Sequence, residues 1–254
     1  MTLELFDLTG KTAVVTGGAR GIGRGIAEGL AQGGANVVIG DINSKECEDT
    51  CTEIEGLGVR AVPVKCDVSV AEDAEGLIRA AIKEFDKVDI LVNNAGITGS
   101  AKAVTEMPDE EWQKTLSINL TGMFFCSRAA AREMKKQNSG KIINITSVAS
   151  FHPIRNSGDY CASKGGALMF TKVLALELIK HNIQVNAICP GYFDTQIAPR
   201  LKERVEKNVK RMVPIGRLAH VDEIKGLAVF LASRASDFIV GTAIPIDGGV
   251  LIRD

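Results

Sequence analysis

Residues 12–23 read TAVVTGGARGIG, a short apolar run followed by a turn with four glycines. The run Thr12–Thr16 predicts a buried β-strand, and Ile or Leu recurs at helical spacing after the turn, at positions 22, 26 and 30. Glycines in such a turn let backbone N–H groups approach a pyrophosphate, which the helix N-terminus also attracts. The stretch therefore predicts a strand–turn–helix unit that cradles a phosphate. Its Gly-x-x-x-Gly-x-Gly spacing differs from the common dinucleotide fingerprint, so a purely structural turn stays an alternative at this point.

The remaining chain repeats the alternation of strand and helix. Short runs rich in Val and Ile alternate with segments of helical period, which is typical of parallel βαβ units. The predicted strands are residues 12–16, 36–40, 60–66, 88–92, 141–146, 183–188 and 243–246. This pattern predicts an α/β protein with a Rossmann fold, in which a doubly wound, seven-stranded parallel sheet carries helices on both faces.

We expect residues 1–254 to form a single domain for both dinucleotide binding and catalysis, because no linker or repeat interrupts the pattern. One segment departs from it. Residues 195–211 follow a strand end, are charged and favour a helix, so we expect a substrate lobe or lid around residues 192–215.

The composition points to a small-molecule partner. With 254 residues and 45% hydrophobic content, the chain can bury a large core. Its 30 basic and 31 acidic residues give a formal net charge of −1, so no overall field attracts nucleic acid or an anionic membrane. Residues 1–8 do not resemble a signal peptide, and no apolar run reaches the length of a membrane span. We therefore expect a cytoplasmic protein.

The cysteines are predicted to be reduced thiols. They form no Cys-x-x-Cys pair, and several lie in runs typical of buried strand or helix. Cys47 and Cys51 lie four residues apart on a predicted helix, a spacing that suits a metal, but no histidine lies nearby. We expect no metal site.

Asp41 follows the second predicted strand, 24 residues after Gly17. An acidic side chain there can accept hydrogen bonds from the ribose hydroxyls of an adenosine and would repel a ribose phosphate. This predicts NAD rather than NADP. Two alternatives stay open. Asp41 can be an ordinary turn residue or helix cap, and the guanidinium of Arg20 can pair with the 2′-phosphate of NADP.

Two further predicted strand ends carry polar groups. Asp67 and Val68 follow the third strand, and the block Asn93-Asn94-Ala95-Gly96 follows the fourth. In open α/β sheets ligands lie at the carboxyl ends of the strands. Asp67 would contact the adenine, and the backbone of residues 93–96 would pass close to the cofactor. Simple turn chemistry is the alternative for both.

The fifth predicted strand is followed by Ser147, and Tyr160 and Lys164 open an apolar helical run 13 residues later. Residues four apart share one helix face, where the ammonium would lower the pKa of the phenol by Coulomb attraction. An unperturbed phenol titrates at about 10 and needs such help to exchange protons near neutral pH. An isolated pair of this kind is usually solvated, but its combination with Ser147 and a phosphate cradle favours a catalytic site.

In the order and spacing of these blocks, the chain resembles the single-domain short-chain dehydrogenases/reductases over essentially its whole length. The matching blocks are residues 16–23, 93–96, Asn119, Ser147, residues 160–164 and residues 190–191. The resemblance implies hydride transfer between a nicotinamide and a secondary alcohol or ketone. It implies that Tyr160 exchanges a proton with the substrate oxygen, that Ser147 orients this oxygen, and that Lys164 binds the nicotinamide ribose and lowers the Tyr160 pKa.

The resemblance also assigns Asn119, in the helix predicted from Glu110, to anchor a water in a proton relay to Lys164. Pro190, Gly191 and Thr195 resemble the segment that holds the cofactor carboxamide. The full set of expected cofactor-binding residues is Gly17, Arg20, Gly21, Ile22, Gly23, Asp41, Asp67, Val68, Asn93, Ala95, Gly96, Tyr160, Lys164, Pro190, Gly191 and Thr195.

The stretches around the sixth and seventh predicted strands are similar to gluconate 5-dehydrogenases and related sugar-acid dehydrogenases, which implies a sugar acid or polyol as substrate. The candidate substrate contacts are Ser147, His152, Arg155, Asn156, Tyr160 and Tyr192. His152 or Arg155 would meet a carboxylate. Both are alternatively plain exposed loop residues.

The main alternative is a 3-oxoacyl-(acyl-carrier-protein) reductase, which has the same catalytic set. Such enzymes usually prefer NADPH, against which Asp41 argues, and they dock their carrier on basic residues. Arg128, Arg132, Lys135 and Lys136 form a basic cluster of this kind, although Leu176 stands where those reductases often carry Arg. A nicotinamide-binding sensor without catalysis is a third hypothesis, but such proteins typically lack the Tyr or the Lys.

The resemblance finally implies a homotetramer, with the apolar helix over residues 162–178 at one interface. The same helix can alternatively be buried against its own sheet.

Overall fold

A computed structural model describes residues 3–195 and 209–253. Its centre is one sheet of seven parallel strands in the order β3-β2-β1-β4-β5-β6-β7. The strands are β1 Thr12–Thr16, β2 Asn36–Asp41, β3 Ala61–Lys65, β4 Ile90–Asn93, β5 Gly140–Ile145, β6 Ile183–Pro190 and β7 Ala243–Ile246. The helices are α1 Gly21–Gln32, α2 Ser44–Glu55, α3 Ala71–Phe85, α4 Asp109–Leu116, α5 Gly122–Gln137, α6 Gly158–Leu178 and α7 Lys225–Ala232.

Helices bury both faces of the sheet. One apolar core lies between the sheet and α1, α2 and α7, and the other lies between the sheet and α3, α5 and α6. In β1, Ala13 and Val15 belong to the first core and Val14 to the second, because successive side chains of a strand point to opposite faces. This is why the strands read as continuous apolar runs. The doubly wound fold is confirmed, with each predicted strand boundary within two residues of the observed one.

The strand order reverses between β1 and β4. From β1 the chain builds outward through β2 and β3, and β4 then starts on the other side of β1. The loops after β1 and β4 therefore diverge and leave a crevice at the carboxyl ends of the strands, where ligands of open α/β sheets bind. The glycine turn, Asp41 and the block after β4 all lie at this edge.

The helix predicted from Glu110 is interrupted. It is divided into α4, a π-helical turn at Ser117–Thr121, and α5. A π-helical turn carries an extra residue relative to an α-helix and is frequently found at functional sites. It places Asn119, which is 1% exposed, toward the interior near α6.

Further expectations concern the lid, the cysteines, metal binding and membrane spans. The predicted lid around residues 192–215 falls mostly on residues 196–208, which lie outside the described residues. All six cysteines are unpaired thiols and five are buried. In the two described ranges, no group of His, Cys, Asp and Glu side chains could hold a metal, and none of the helices is long and apolar enough to cross a membrane.

Candidate active site

The turn after β1 folds as a cradle of closely packed glycines. Gly17 and Gly21 adopt positive φ angles of 61° and 56°, which cost glycine no strain. A Cβ on Gly17 would lie 2.8 Å from the Cα of Ala95, and a Cβ on Gly23 would clash with the Gly17 carbonyl oxygen. The turn therefore needs glycine because the loop after β4 passes directly over it. The first N–H groups of α1, which have no partner within the helix, lie at this turn.

Thr16 and Asn94 fasten the cradle to the loop after β4. The side-chain amide of Asn94 donates to the carbonyl oxygens of Thr16 and Gly17 at 3.0 and 2.9 Å. In return the Thr16 hydroxyl accepts from the backbone N–H groups of Asn94 and Ala95 at 3.0 and 3.1 Å. These four hydrogen bonds fix the two loops relative to each other. Sequence reasoning missed both side chains, although they stand inside the blocks it identified.

Asp41 lies at the edge of the cradle. Its carboxylate accepts hydrogen bonds from the Ala19 N–H at 3.3 Å and from the Asn43 N–H at 3.1 Å. The second bond is the turn contact that the sequence left open, whereas the first ties the carboxylate to the glycine turn. Arg20 is largely exposed, and its Nε lies 4.0 Å from a carboxylate oxygen of Glu46. Two carboxylates therefore lie at the edge where an adenosine ribose is expected.

Three predicted cofactor residues direct their side chains elsewhere. Asp67 accepts from the N–H and the hydroxyl of Ser69 at 2.9 and 2.7 Å, as turn residues do. Val68 packs on Gly122, where a Cβ would lie 2.7 Å from its Cγ2. Asn93 is 3% exposed and donates to Ser127 and Asn144, both at 2.8 Å. Val68 and Asn93 therefore have only their backbone groups left for a ligand in the crevice.

Ser147, Tyr160 and Lys164 converge where β5 ends and α6 begins. Ser147 and Lys164 are 6% and 5% exposed, and Tyr160 is partly buried. The Ser147 side chain lies close enough to the Tyr160 phenol to lower its pKa. The Nζ of Lys164 lies 5.8 Å from the centre of the Tyr160 ring and donates to the Ile145 carbonyl oxygen at 2.9 Å. The three predicted residues thus form one group.

The segment after β6 reaches the same crevice. Gly191 is packed so closely that a Cβ would lie 2.8 Å from the Cα of Asp247. Thr195 lies beside the cradle, since a Cβ on Gly21 would be 3.7 Å from its side chain. The ends of β1, β2, β4, β5 and β6 therefore bring the phosphate cradle and the Tyr160 group to one edge of the sheet.

Known proteins are similar to this chain in both sequence and fold. A family model described as enoyl-(acyl carrier protein) reductase matches residues 17–251. Over 256 aligned positions the chain is 40% identical to the 2-dehydro-3-deoxy-D-gluconate 5-dehydrogenase of Dickeya dadantii, and the match covers all of both chains. It is 35% identical over 245 positions to a 3-oxoacyl-(acyl-carrier-protein) reductase of Thermotoga maritima, covering 96% of this chain and 99% of the relative. A solved gluconate 5-dehydrogenase from Burkholderia cenocepacia, in complex with NADP and tartrate, is 35% identical with a TM-score of 0.94, covering 99% of each chain.

The chain belongs to the short-chain dehydrogenase/reductase family. It is an NAD(P)-dependent oxidoreductase. In the crevice of this short-chain dehydrogenase, the first N–H groups of α1 lie at the glycine turn, and Asp41 is bonded to the same turn. At the other end, a Cβ on Gly96 would lie 3.1 Å from Asn119 Oδ1 and 3.6 Å from Lys164 Nζ, so the loop after β4 passes close to both side chains.

Burial sets the ionisation of the tyrosine and lysine of this short-chain dehydrogenase. Burial raises the pKa of Tyr160 above its ordinary value, and the nearby Ser147 side chain offsets part of that rise. Burial also lowers the pKa of Lys164 to about 8. In the chain by itself the pKa of Tyr160 is therefore raised, because burial is the largest effect on it, and its lowering by Lys164 stays a prediction.

Asn119 links the loop after β4 to α6. Its Oδ1 accepts from the Ile97 N–H at 2.8 Å, and its Nδ2 donates to the Ile97 carbonyl oxygen at 2.9 Å and to the Ser163 hydroxyl at 3.1 Å. The Ser163 hydroxyl in turn donates to the Tyr160 carbonyl oxygen at 2.7 Å. The bonds seen in the chain therefore serve to hold Ile97 and α6 in place, and the role of Asn119 in a proton relay stays a prediction.

The remaining predicted substrate residues differ in their exposure to solvent. His152, Arg155 and Asn156 are exposed in the turn before α6, and Asn156 adopts a φ of 59°, which asparagine tolerates better than most residues. Tyr192 is partly buried and lines a cavity of about 200 Å³ together with Val213, Ile215 and Asp247, among others.

Sequence reasoning also missed Asp159, which precedes Tyr160. Its side chain is fully buried and accepts hydrogen bonds from Ser100 and Thr115, which lie 59 and 44 residues away in sequence. No local pattern could have indicated these contacts.

Proposed function

We propose that the chain is an NAD-dependent dehydrogenase that interconverts a secondary alcohol and a ketone on a sugar acid or polyol. Tyr160 is the proton-transfer residue, Ser147 orients the substrate oxygen, and Lys164 binds the nicotinamide ribose. The observation that carries this proposal is the group formed by Ser147, Tyr160 and Lys164 beside the phosphate cradle.

In oxidation the Tyr160 phenolate removes the hydroxyl proton of the alcohol, and in reduction the Tyr160 phenol donates its proton to the ketone oxygen. Ser147 donates a hydrogen bond to the same oxygen and stabilises the charge that develops there. A bound nicotinamide accepts or supplies the hydride. At neutral pH Lys164 carries its proton, because its pKa is about 8, and this charge offsets part of the cost of a buried phenolate. Asn119 holds the loop and the helix that flank this group and is the proposed anchor of the proton relay.

Two carboxylates support NAD as the cofactor. Asp41 is tied to the glycine turn through the Ala19 N–H, and Glu46 lies 4.0 Å from the one guanidinium, Arg20, that the turn itself carries. A 2′-phosphate would meet these negative charges, whereas ribose hydroxyls can donate to Asp41. The Burkholderia relative was solved in complex with NADP. The preference for NAD is therefore proposed from Asp41 and Glu46 of this chain and not from that relative.

The sugar-acid class is supported by the relatives and by two exposed side chains before α6. The Burkholderia relative is named for gluconate and the Dickeya relative for a gluconate derivative. In this chain Arg155 and His152 are exposed close to the start of α6, where a guanidinium or imidazole can meet the carboxylate of a sugar acid. We propose Asn156 and Tyr192 as further contacts.

A 3-oxoacyl-(acyl-carrier-protein) reductase is the second candidate, favoured by the 35% identity with the Thermotoga relative. The basic cluster that would dock a carrier is partly neutralised. Arg128 and Arg132 lie 4.0 and 3.6 Å from the carboxylate of Glu75, and Lys136 lies 2.8 Å from that of Glu133. These ion pairs leave less free positive charge for an acidic carrier than the sequence indicates.

We also propose a homotetramer with α6 at one interface. α6 and the neighbouring α5 leave large apolar side chains in water: Phe124, Met169, Val173 and Leu176 are 40%, 58%, 46% and 79% exposed. A second copy would bury this patch. We place the enzyme in the cytoplasm, where its six unpaired thiols would stay reduced. The proposed lid over residues 192–215 is supported at its described ends, since Thr195 lies beside the cradle and Val213 beside Tyr192.

The proposal is tested by following reduced-nicotinamide absorbance with NAD and with NADP. The substrates are gluconate, other sugar acids and polyols, simple secondary alcohols, and an acetoacetyl thioester in the reductive direction. We expect turnover of a sugar acid or polyol with NAD; turnover of the thioester with NADPH alone would favour the second candidate.

The matching variant is Tyr160→Phe, which keeps the ring and removes the hydroxyl. We expect turnover to fall by at least about 100-fold, because general acid–base catalysis contributes on that order. Cofactor affinity, measured by titration calorimetry, should survive the change. A variant that still turns over at the wild-type rate would remove Tyr160 from the mechanism.

A further inference from the structure

Asp159 is a buried carboxylate that the proposed mechanism does not use. It is fully buried in the first turn of α6, directly before Tyr160. Its Oδ2 accepts from the Ser100 N–H at 2.8 Å and from the Thr115 hydroxyl at 2.9 Å, and its Oδ1 accepts from the Tyr160 N–H at 2.8 Å. A buried charge is tolerated only with such compensation, so this arrangement is costly to lose.

These three bonds join separate parts of the site. Ser100 belongs to the loop after β4, Thr115 to α4, and Tyr160 to α6. The loop passes so close to the carboxylate that a Cβ on Gly99 would lie 2.7 Å from both of its oxygens. Two residues farther on, Ala101 adopts a φ of 57°, a conformation that alanine takes only when the surroundings impose it.

The same carboxylate holds the backbone of Tyr160. The first N–H groups of a helix have no partner within it, and the Tyr160 N–H is one of these groups. Asp159 satisfies it, while the Ser163 hydroxyl holds the Tyr160 carbonyl oxygen and is itself bonded to Asn119. Asn119 also holds Ile97, three residues before Ser100. Two buried side chains therefore tie residues 97–100 to the turn of helix that carries the phenol.

We infer that Asp159 is a positioning residue for Tyr160: its carboxylate fixes the start of α6 against the loop after β4, and so sets where the phenol stands relative to Ser147 and the crevice. This inference rests on the proposed function, in which Tyr160 transfers the proton. A displacement of about 1 Å in such a group can cost a factor of about 100 in rate.

Asp159→Asn tests the inference with almost no change in volume. An asparagine has one acceptor oxygen, and its amino group would face either the Ser100 N–H or the Tyr160 N–H, leaving one of these donors unpaired. We expect kcat, expressed per cofactor-binding site, to fall by about 10- to 100-fold. We expect KM for the substrate and Kd for NAD to change by less than about 3-fold, because the cradle and Asp41 are untouched.

Thr171→Val is the matched control. Thr171 is a buried polar residue on the same helix, donates to the Ala167 carbonyl oxygen at 2.8 Å, and accepts from Asn144 at 2.9 Å. Its replacement should lower Tm without lowering kcat per site by more than about 2-fold. If Asp159→Asn does not fold, Thr115→Val removes one of the three donors and should lower kcat per site by about 3-fold.

The outcomes separate the two proposals. Wild-type turnover in Tyr160→Phe would overturn the proposed function. If Tyr160→Phe is inactive but Asp159→Asn keeps its kcat per site, only the positioning role is overturned. The same holds for Thr115→Val if that is the variant that folds. A lower Tm with unchanged kcat per site would likewise reduce Asp159 to a purely structural residue.

Discussion

The Lys164→Met variant measures what the buried ammonium beside Tyr160 costs the fold. Lys164 is 5% exposed, and burial lowers its pKa from an ordinary 10.5 to about 8. A difference of this size corresponds to about 3 kcal/mol in the free energy of unfolding. Because the folded pKa lies below the unfolded one, the unfolded chain binds the proton more tightly. The cost is therefore fully present below pH 8 and disappears as the pH rises to 10.5.

Methionine has a similar length and no charge, so the variant escapes this cost but leaves the Ile145 carbonyl oxygen without its donor. The lost hydrogen bond costs about 1 kcal/mol. We expect the variant to be more stable than the wild type by about 2 kcal/mol near pH 7. The advantage should shrink as the pH rises and reverse near the ordinary lysine pKa, where the wild type keeps its bond at no electrostatic cost. Turnover should be lost at every pH.

Urea unfolding of both proteins between pH 7 and pH 10 gives the comparison, without cofactor and at one fixed protein concentration. Lys83→Met, an exposed lysine on α3, is the control and should change the free energy by no more than about 0.5 kcal/mol at any pH. A Lys164→Met protein that is less stable at pH 7, or whose difference from the wild type does not depend on pH, would show that the ammonium is compensated inside the fold and would refute the reasoning.

Two further variants test the cofactor and the assembly. Asp41→Ser removes the carboxylate at the ribose edge, so the ratio of kcat/KM with NADP to that with NAD should rise by about 10-fold or more; initial rates with both cofactors decide this, and an unchanged ratio would contradict the role of Asp41. Leu176→Glu places a charge on the most exposed apolar position of α6, so light scattering should report a smaller particle than for the wild type. An unchanged mass would exclude the α6 face as an interface.

Four interior strands could be predicted from the sequence because they are buried along their whole length. The interior strands β1, β4 and β5 are covered on both faces, so their apolar runs stand out from the helical segments between them. The break between α4 and α5 could not be predicted, because Asn119 and its neighbours are as compatible with a regular helix as with a π-helical turn. The contacts with Ile97 and Ser163 that accompany this turn come from elsewhere in the chain.

The same limit applies to the site. Spacing alone placed Tyr160 and Lys164 on one helix face, since a turn of helix fixes that relation locally. The roles of Asn94 and Asp159 depend on Thr16 and Ser100, which are 78 and 59 residues distant in the chain and come close only when the strands pair. Asn94 and Asp159, which stand inside or beside a recognised motif, were therefore missed because their roles depend on these distant contacts.

Burial changes the order in which the Tyr160 phenol and the Lys164 ammonium lose their protons. This order bears on catalysis in both directions. In water a phenol loses its proton slightly before an ammonium does. In this fold burial raises the pKa of Tyr160 and lowers that of Lys164 to about 8, so the order is reversed and the chain alone keeps a neutral phenol at physiological pH. A neutral phenol is the form that donates a proton to a ketone. The phenolate that alcohol oxidation requires needs a further positive charge, which the oxidised nicotinamide carries and the reduced one does not.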